Sequence, residues 1–453
     1  MTHLTRPSIS SQVQVLHIQD SRSCLCCPAN VALTITQMLC SNQLQRRLCH
    51  EFAPLLRSAS FARIGQKHHQ RLQLHHSFKW RREFGITSIP TVLLPPIVFG
   101  GLLVTLWTYK CMMMVIFQNK IIYMPSMPPF SRSEKVEDYA SQCRPVIWTE
   151  HSIRSLDGTK ISLLEGTIPR KQGQADIRKH IVVAYFQGNA SSLPPRLPYL
   201  SSILKLVDKQ DTGVQYTLVC LSYRGFWKSS GRASQQGIEL DAQALLDWVF
   251  ARYGNHTDVE FVLWGQSIGA GVASIAAARQ MESTRQDRSS SSQNNRNDHR
   301  IAGLLLETPF TSLRAMLVAL YPQKFLPYRY LGPFLMSTWD SETAFASIGV
   351  SLQERYQTAN SQTNTIRQDA FRVLFLEAGD DELVPKGDAE KLLSACRGFR
   401  EIEAAHKVVK GALHTDVMTK GEGKKEIVRF LKRFEHTTVA GKPGGSRELN
   451  LRA

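Results

Sequence analysis

Phe261-Val262-Leu263-Trp264-Gly265-Gln266-Ser267-Ile268-Gly269-Ala270-Gly271 begins as an apolar, strand-forming run and passes directly into Val272-Ala273-Ser274-Ile275-Ala276-Ala277-Ala278-Arg279, which has helical composition. A strand, a sharp turn carrying Ser267 within Gly-x-Ser-x-Gly, and a helix together make a nucleophile elbow. In such a turn the serine is strained and its flanks pass very close to strand and helix. Only glycine or another tiny residue then fits at Gly265 and Gly269. The strain pushes the hydroxyl out at the top of a sheet. Gly-x-Ser-x-Gly alone arises often by chance, and the strand and helix around it give it meaning.

Further apolar runs lie on either side of the elbow, at residues 181–186, 216–221, 301–306 and 371–376. Continuous rather than alternating apolar strands imply burial on both faces, hence a mostly parallel sheet. Helical patterns between them, such as residues 237–250, predict a doubly wound α/β sheet. Two leading strands, at residues 146–148 and 160–164, with a turn at Asp157-Gly158, predict a hairpin. Two stretches interrupt the alternation. Residues 285–300, with Ser289-Ser290-Ser291-Ser292 and Asn294-Asn295, read as a disordered polar loop. Residues 311–369 read as a cap and loop; the apolar side chains of the first part, among them Met316, Phe325, Tyr328 and Phe334, either form a helical cap over the site or complete the core.

The 453 residues suit one large α/β unit, residues 118–436, with appendages. Much of the formal net charge of +17 lies before about residue 85, where acids are scarce. No zinc-finger, RNP-type or basic-zipper pattern accompanies it, so nucleic-acid binding is set aside in favour of a solvated basic tail beside a membrane. Nine cysteines include Cys24, Cys26, Cys27, Cys40 and Cys49 in that tail and Cys143, Cys220 and Cys396 in the folded part. With no matched C-x-x-C pairs, neither a zinc site nor a disulfide scaffold is indicated, and no cofactor is expected.

Residues 1–84 are rich in Ser, Arg, Gln and His and read as disordered; their composition also fits a mitochondrial transit peptide, the alternative location. Residues 85–109 carry no charge and are long enough to cross a bilayer core of about 30 Å. Pro90, Pro95 and Pro96 argue that the ordered span starts near Pro96 and runs on to Phe117, giving one transmembrane segment within residues 85–117. Lys79, Arg81 and Arg82 precede it and Lys110 and Lys120 follow, a bias that favours a cytosolic tail and a lumenal or extracellular globular part. Asn255-His256-Thr257 is a glycosylation sequon on that side. Residues 437–453 read as a loose tail.

An exposed serine needs a base within reach and an acid to orient that base. After a nucleophile elbow the chain order is Ser, acid, His. Asp380 and Asp381 follow a late strand, and Asp381 is preferred because Asp381-Glu382-Leu383-Val384-Pro385 places it one turn before the next helix. His414 lies in the loop beyond the next strand, where it can reach Ser267, whereas His406 lies within the strand and reads as structural. The oxyanion needs two backbone donors, expected from the amides of Ile268 and Asn189.

Gln187-Gly188-Asn189-Ala190, Ser222-Tyr223-Arg224-Gly225, Gly265-Gln266-Ser267-Ile268-Gly269, Glu307-Thr308-Pro309-Phe310-Thr311-Ser312, Trp339-Asp340-Ser341 and Asp381-Glu382-Leu383-Val384-Pro385 occur in that order. This ordered set resembles the membrane-anchored α/β-hydrolase-domain (ABHD-type) serine hydrolases, including the fungal bud-emergence group, over about residues 115–435. The resemblance implies an α/β-hydrolase fold, Ser267, Asp381 and His414 as nucleophile, acid and base, and acyl esters or thioesters as substrates: lysophospholipids, acylglycerols or palmitoylated proteins. The family usually has His at the position of Gln187, Asp at that of Ser222 and Gly at that of Trp227. It also usually has Gly-x-His-Asn-Asp, where this chain has one more residue before His414 and Thr415 after it. These departures motivate an alternative, a catalytically silent hydrolase fold serving as a membrane scaffold.

Overall fold

The computed structural model describes residues 90–170, 173, 176–208, 212–256, 258–289, 300–362 and 370–436. The basic tail, Gly85, Thr257 of the sequon, residues 290–299 of the polar insertion and the final residues 437–453 lie outside them.

The strands are β1 (Ile147–Arg154), β2 (Lys160–Thr167), β3 (Lys179–Phe186), β4 (Val214–Ser222), β5 (Val259–Gln266), β6 (Ile301–Glu307), β7 (Phe371–Ala378) and β8 (Ile402–Val409); the apolar runs of β2 to β7 are largely buried, whereas β1 and β8 are largely accessible. They form one sheet in the order β1-β2-β4-β3-β5-β6-β7-β8. The leading hairpin pairs antiparallel and β2 joins β4 antiparallel; every later pairing is parallel. This is the mostly parallel sheet expected from the continuous apolar runs, and it fits the α/β-hydrolase fold that the resemblance implies. The elbow strand β5 sits between β3 and β6, so both its edges are paired, and it is buried from Glu260 to Gln266.

Ten α-helices, numbered in chain order, accompany the strands among the described residues. Helices α4 (Leu197–Val207) and α10 (Gly421–Lys432) bury Leu200, Ile203, Ile427 and Phe430 on one face of the sheet. On the other face, α5 (Gln235–Tyr253), α6 (Ile268–Ser289), α8 (Ser341–Gln362) and α9 (Asp388–Cys396) contribute Ile238, Val272, Phe345 and Leu392. Two sequence expectations change here. Helix α6 runs on through Ser289, so Arg285 to Ser289 are helical rather than looped. Gln, Glu and Arg are good helix formers, no Gly or Pro interrupts after Gly271, and Arg285 pairs with Glu354 at 2.8 Å. Nor does the 311–369 insertion consist of cap and loop throughout. Its second half is α8, a core helix with Phe345 and Ile348 fully buried. Its first half holds the short α7 (Leu313–Leu320), which has no fully buried residue but packs Leu313 and Met316 against the core.

Ahead of the sheet, α1 (Leu94–Ile116) follows a 3-10 turn at Thr91–Leu93, with prolines only in its first turn, where no backbone donor is lost. The continuous apolar helix Thr91–Ile116 is exposed along its length and, at 1.5 Å per residue, extends about 39 Å, which fits a single-pass membrane anchor. Helix α2 (Gln118–Tyr123) follows, and α3 (Ala140–Cys143) leads into β1.

Buried polar groups tie the layers together. Arg224, at the end of β4, donates to Asp241 of α5, to Asp157 of the β1–β2 turn and to Ser155. At the opposite end of the sheet, His180 is 5% exposed, with Thr217 Oγ1 at 2.8 Å from its Nε2 and the rings of Tyr253 and His256 edge-on to its own. Burial, helped by His256, lowers its pKa to about 4. Unfolded, the imidazole takes a proton near 6.5; folded, it stays neutral down to about 4. Stability from this site is therefore full above pH 6.5 and is lost as pH falls, by roughly 3 kcal/mol at pH 4. Urea unfolding of wild type and His180→Gln should show their difference changing by about that amount between pH 6.5 and 4. A difference that stays flat across this window contradicts the assignment.

Candidate active site

Ser267 stands between β5 and α6 with φ +54°, the left-handed conformation demanded by the elbow. The close approaches around it are tight. A Cβ on Gly265 would meet the Gly269 carbonyl oxygen at 2.2 Å, and one on Gly269 would meet the Phe186 carbonyl oxygen at 2.1 Å. The Ser267 amide donates to the Glu307 carbonyl of β6 at 2.8 Å, which pins the turn to its neighbouring strand. The Glu307 side chain is fully buried, and burial raises its pKa to about 7 against the hydrogen bond from Trp264.

Three distant side chains converge above the carboxyl ends of the strands. His414 Nε2 lies 2.8 Å from Ser267 Oγ. Its Nδ1 donates to the Asp381 carboxylate, with oxygens at 3.0 and 3.1 Å. Asp381 Oδ1 also accepts the amides of Leu383 and Val384 at 2.9 and 2.8 Å. Burial pushes the Asp381 carboxyl up, but the His414 hydrogen bond and charge, with those two amides, outweigh it and hold the pKa below its ordinary value. Asp381 is thus an ionised acceptor, which keeps the proton on Nδ1 and leaves Nε2 free to accept from the serine. Asp380 instead uses its amide to bond the Ala412 carbonyl. His406 pairs with Glu377 and Glu390, away from this cluster.

The expected oxyanion donors flank the serine. No backbone hydrogen bond among the described residues uses the amide of Ile268 or of Asn189. The loop bearing Asn189 is close: a Cβ on Gly188 would lie 3.6 Å from Ser267 Cβ. Ala190 and Ser191, next in this loop, also hold left-handed φ of +56° and +61°. Two residues outside the sequence-predicted set support the arrangement. Glu382 accepts the His414 amide at 3.0 Å. The stem after α1 braces the loop, since the Ala190 amide donates to the Tyr123 carbonyl at 3.0 Å and the Ser191 amide to Met127. Tyr123 is itself fully buried, its hydroxyl held by Ser337 and by the Trp339 indole. Glu382 had a local signal, its place beside Asp381; the Tyr123–Trp339 contact spans 216 residues and had none.

No protein-family model matches the chain. Over 327 residues it is 25% identical to the alpha/beta hydrolase domain-containing protein WAV2 of Arabidopsis thaliana, covering 71% of this chain and 88% of that one. It is 26% identical over 214 residues to protein bem46 of Schizosaccharomyces pombe, covering 47% and 55%, and 28% identical over 228 residues to the lysophosphatidylserine lipase ABHD12 of Macaca fascicularis, covering 49% and 48%. The chain spans about half the length of the last two. The chain is an α/β-hydrolase similar to the ABHD-type proteins. Within this hydrolase the three substituted motif positions have distinct surroundings. Gln187 is fully buried: its main-chain carbonyl accepts from the Tyr223 hydroxyl at 2.8 Å, while its side-chain amide meets no hydrogen-bond partner among the described residues. Ser222 donates to the Phe226 carbonyl. Trp227 adopts φ +39°, a conformation that favours glycine, and its buried indole donates to the Glu134 carbonyl at 2.8 Å.

Proposed function

We propose that this α/β-hydrolase cleaves acyl esters or thioesters of lipid-like substrates through Ser267, His414 and Asp381, held at a membrane by α1. The observation that carries the proposal is the single hydrogen-bonded line from Ser267 Oγ through His414 to the Asp381 carboxylate. His414 Nε2 takes the serine proton as Oγ attacks the acyl carbonyl, and the amides of Ile268 and Asn189 receive the negative charge that develops on the carbonyl oxygen. His414 then protonates the departing alcohol or thiol, leaving an acyl-Ser267 ester. Water, deprotonated by His414, attacks that ester, and the serine regains its proton as the fatty acid leaves. Asp381 stabilises the imidazolium at each step. No step calls for a metal or cofactor.

The similarity to a lysophosphatidylserine lipase supports a lysophospholipid, with acylglycerols and palmitoylated proteins as the other members of the class. A fluorophosphonate probe is expected to label the wild type, and equal labelling of Ser267→Ala refutes the nucleophile. Fatty-acid release from lysophospholipid, monoacylglycerol and palmitoyl-peptide then ranks the substrates.

The flanking charges support a single-pass protein of the endoplasmic reticulum or another endomembrane, with its hydrolase domain lumenal. Asn255 is exposed at the turn after α5. An endoglycosidase should therefore shift the mobility of the wild type and leave Asn255→Gln unshifted. No shift in either, even with the sequon strengthened, contradicts the lumenal orientation.

A further inference from the structure

Between β6 and α8 the chain runs through residues 313–336, which include α7 and two 3-10 turns, Pro327–Tyr330 and Gly332–Phe334. This segment exposes large apolar side chains: Phe325 is 71% exposed, Tyr330 59%, Phe334 61% and Met336 62%. Isolated exposed hydrophobes need no explanation, but a cluster on one segment does. Its position explains it. Lys110 of α1 places its ammonium 4.6 Å over the Tyr328 ring. Gln118, just past the end of α1, donates to the Phe334 carbonyl at 3.1 Å and accepts the Met336 amide at 2.7 Å. At 1.5 Å per residue these two contacts are roughly 12 Å apart along the helix direction. The segment therefore flanks the last two turns of α1, at the depth where a bilayer's headgroups begin if α1 crosses it.

Charge agrees with that placement. Neither residues 84–133 nor residues 308–339 contain an Asp or Glu, while Lys110, Lys120, Arg314 and Lys324 are exposed there. Aromatic side chains and cations with no acid are the composition of a surface that enters the headgroup region of an anionic bilayer. We propose that residues 313–336 and the last turns of α1 form one docking face for an anionic phospholipid surface, which holds the active site at headgroup level. The mechanical link to the chemistry is short. Ser337 and Trp339, at the end of the segment, hold Tyr123, whose carbonyl holds the loop carrying Asn189. The proposal rests on α1 being the membrane anchor and Ser267 the nucleophile.

The full chain reconstituted in phosphatidylcholine vesicles, with and without phosphatidylserine, tests it. Phe325→Trp should add an emission component, over that of the wild type, that lipids with brominated acyl chains quench. Phe325→Ser/Phe334→Ser should lower hydrolysis of a vesicle-embedded long-chain ester about tenfold relative to that of a short soluble ester. Phosphatidylserine should raise the wild-type rate on vesicles more than that of Lys324→Glu. An unquenched Phe325→Trp, or an equal fall on both esters, overturns the docking face. So does a dimer in detergent that the double variant dissociates, because the face then pairs two copies. Failure of the underlying reading is separate: it shows as wild type extracted by carbonate, or as Ser267→Ala hydrolysing the soluble ester at the wild-type rate.

Discussion

Ser267→Ala is expected to lower kcat by roughly 10⁴- to 10⁶-fold on a soluble ester. Its hydroxyl is aligned on His414 Nε2, and the elbow that carries it is held by close backbone contacts at Gly265 and Gly269. Alanine suits that backbone no worse than serine, because Ser267 already holds φ +54° with a Cβ. The variant should therefore fold, keep its unfolding midpoint close to wild type and still bind substrate. The residual rate would come from the amides of Ile268 and Asn189 and from substrate positioning, which need no nucleophile. A kcat within tenfold of wild type, in protein of unchanged stability, would sink the covalent mechanism.

Asp381→Asn should cost about 10⁴-fold in kcat with little change in KM. The carboxylate accepts from His414 Nδ1, and an amide NH2 in its place would favour the tautomer with its proton on Nε2. That tautomer cannot take the proton of Ser267. The Leu383 and Val384 amides can still donate to the side-chain oxygen that the substitution retains, so local geometry survives and the loss is chemical rather than structural. Asp380→Asn is the paired control, since the contact it makes with the Ala412 loop uses its amide. Equal losses in the two variants would mean that the loop was damaged, and a larger loss in Asp380→Asn would reassign the acid. Because His414 holds the Asp381 pKa below its ordinary value, Asp381 stays ionised in mildly acidic solution and does not set the acid limb of the rate profile.

Much of the arrangement was legible because its causes are local. Strand, turn and helix around Ser267 are neighbours in the chain, and the glycines at 265 and 269 mark backbone contacts that no other residue permits. Asp381 and His414 were legible for a related reason: each follows a strand whose apolar run is visible, and parallel strands place all their carboxyl ends on one edge. The choice between Asp380 and Asp381 turned on a single side-chain direction, which spacing suggested and geometry supports. Helix α8 was also legible in principle, since Phe345, Ile348 and Leu352 have helical spacing; the polar residues between and after them make the same stretch read as the loop that follows a cap.

The amino-acid sequence by itself determined the sheet, the elbow and the chain order of the proposed reacting groups, because burial on both faces and steric exclusion at glycine act over a few residues. Only the tertiary structure decided what supports them. Tyr123 beneath the loop of Asn189, Gln118 clamping Phe334 and Met336, and Lys110 over Tyr328 join segments far apart in the chain. Such contacts follow from where the sheet delivers each chain end, and no local pattern encodes them.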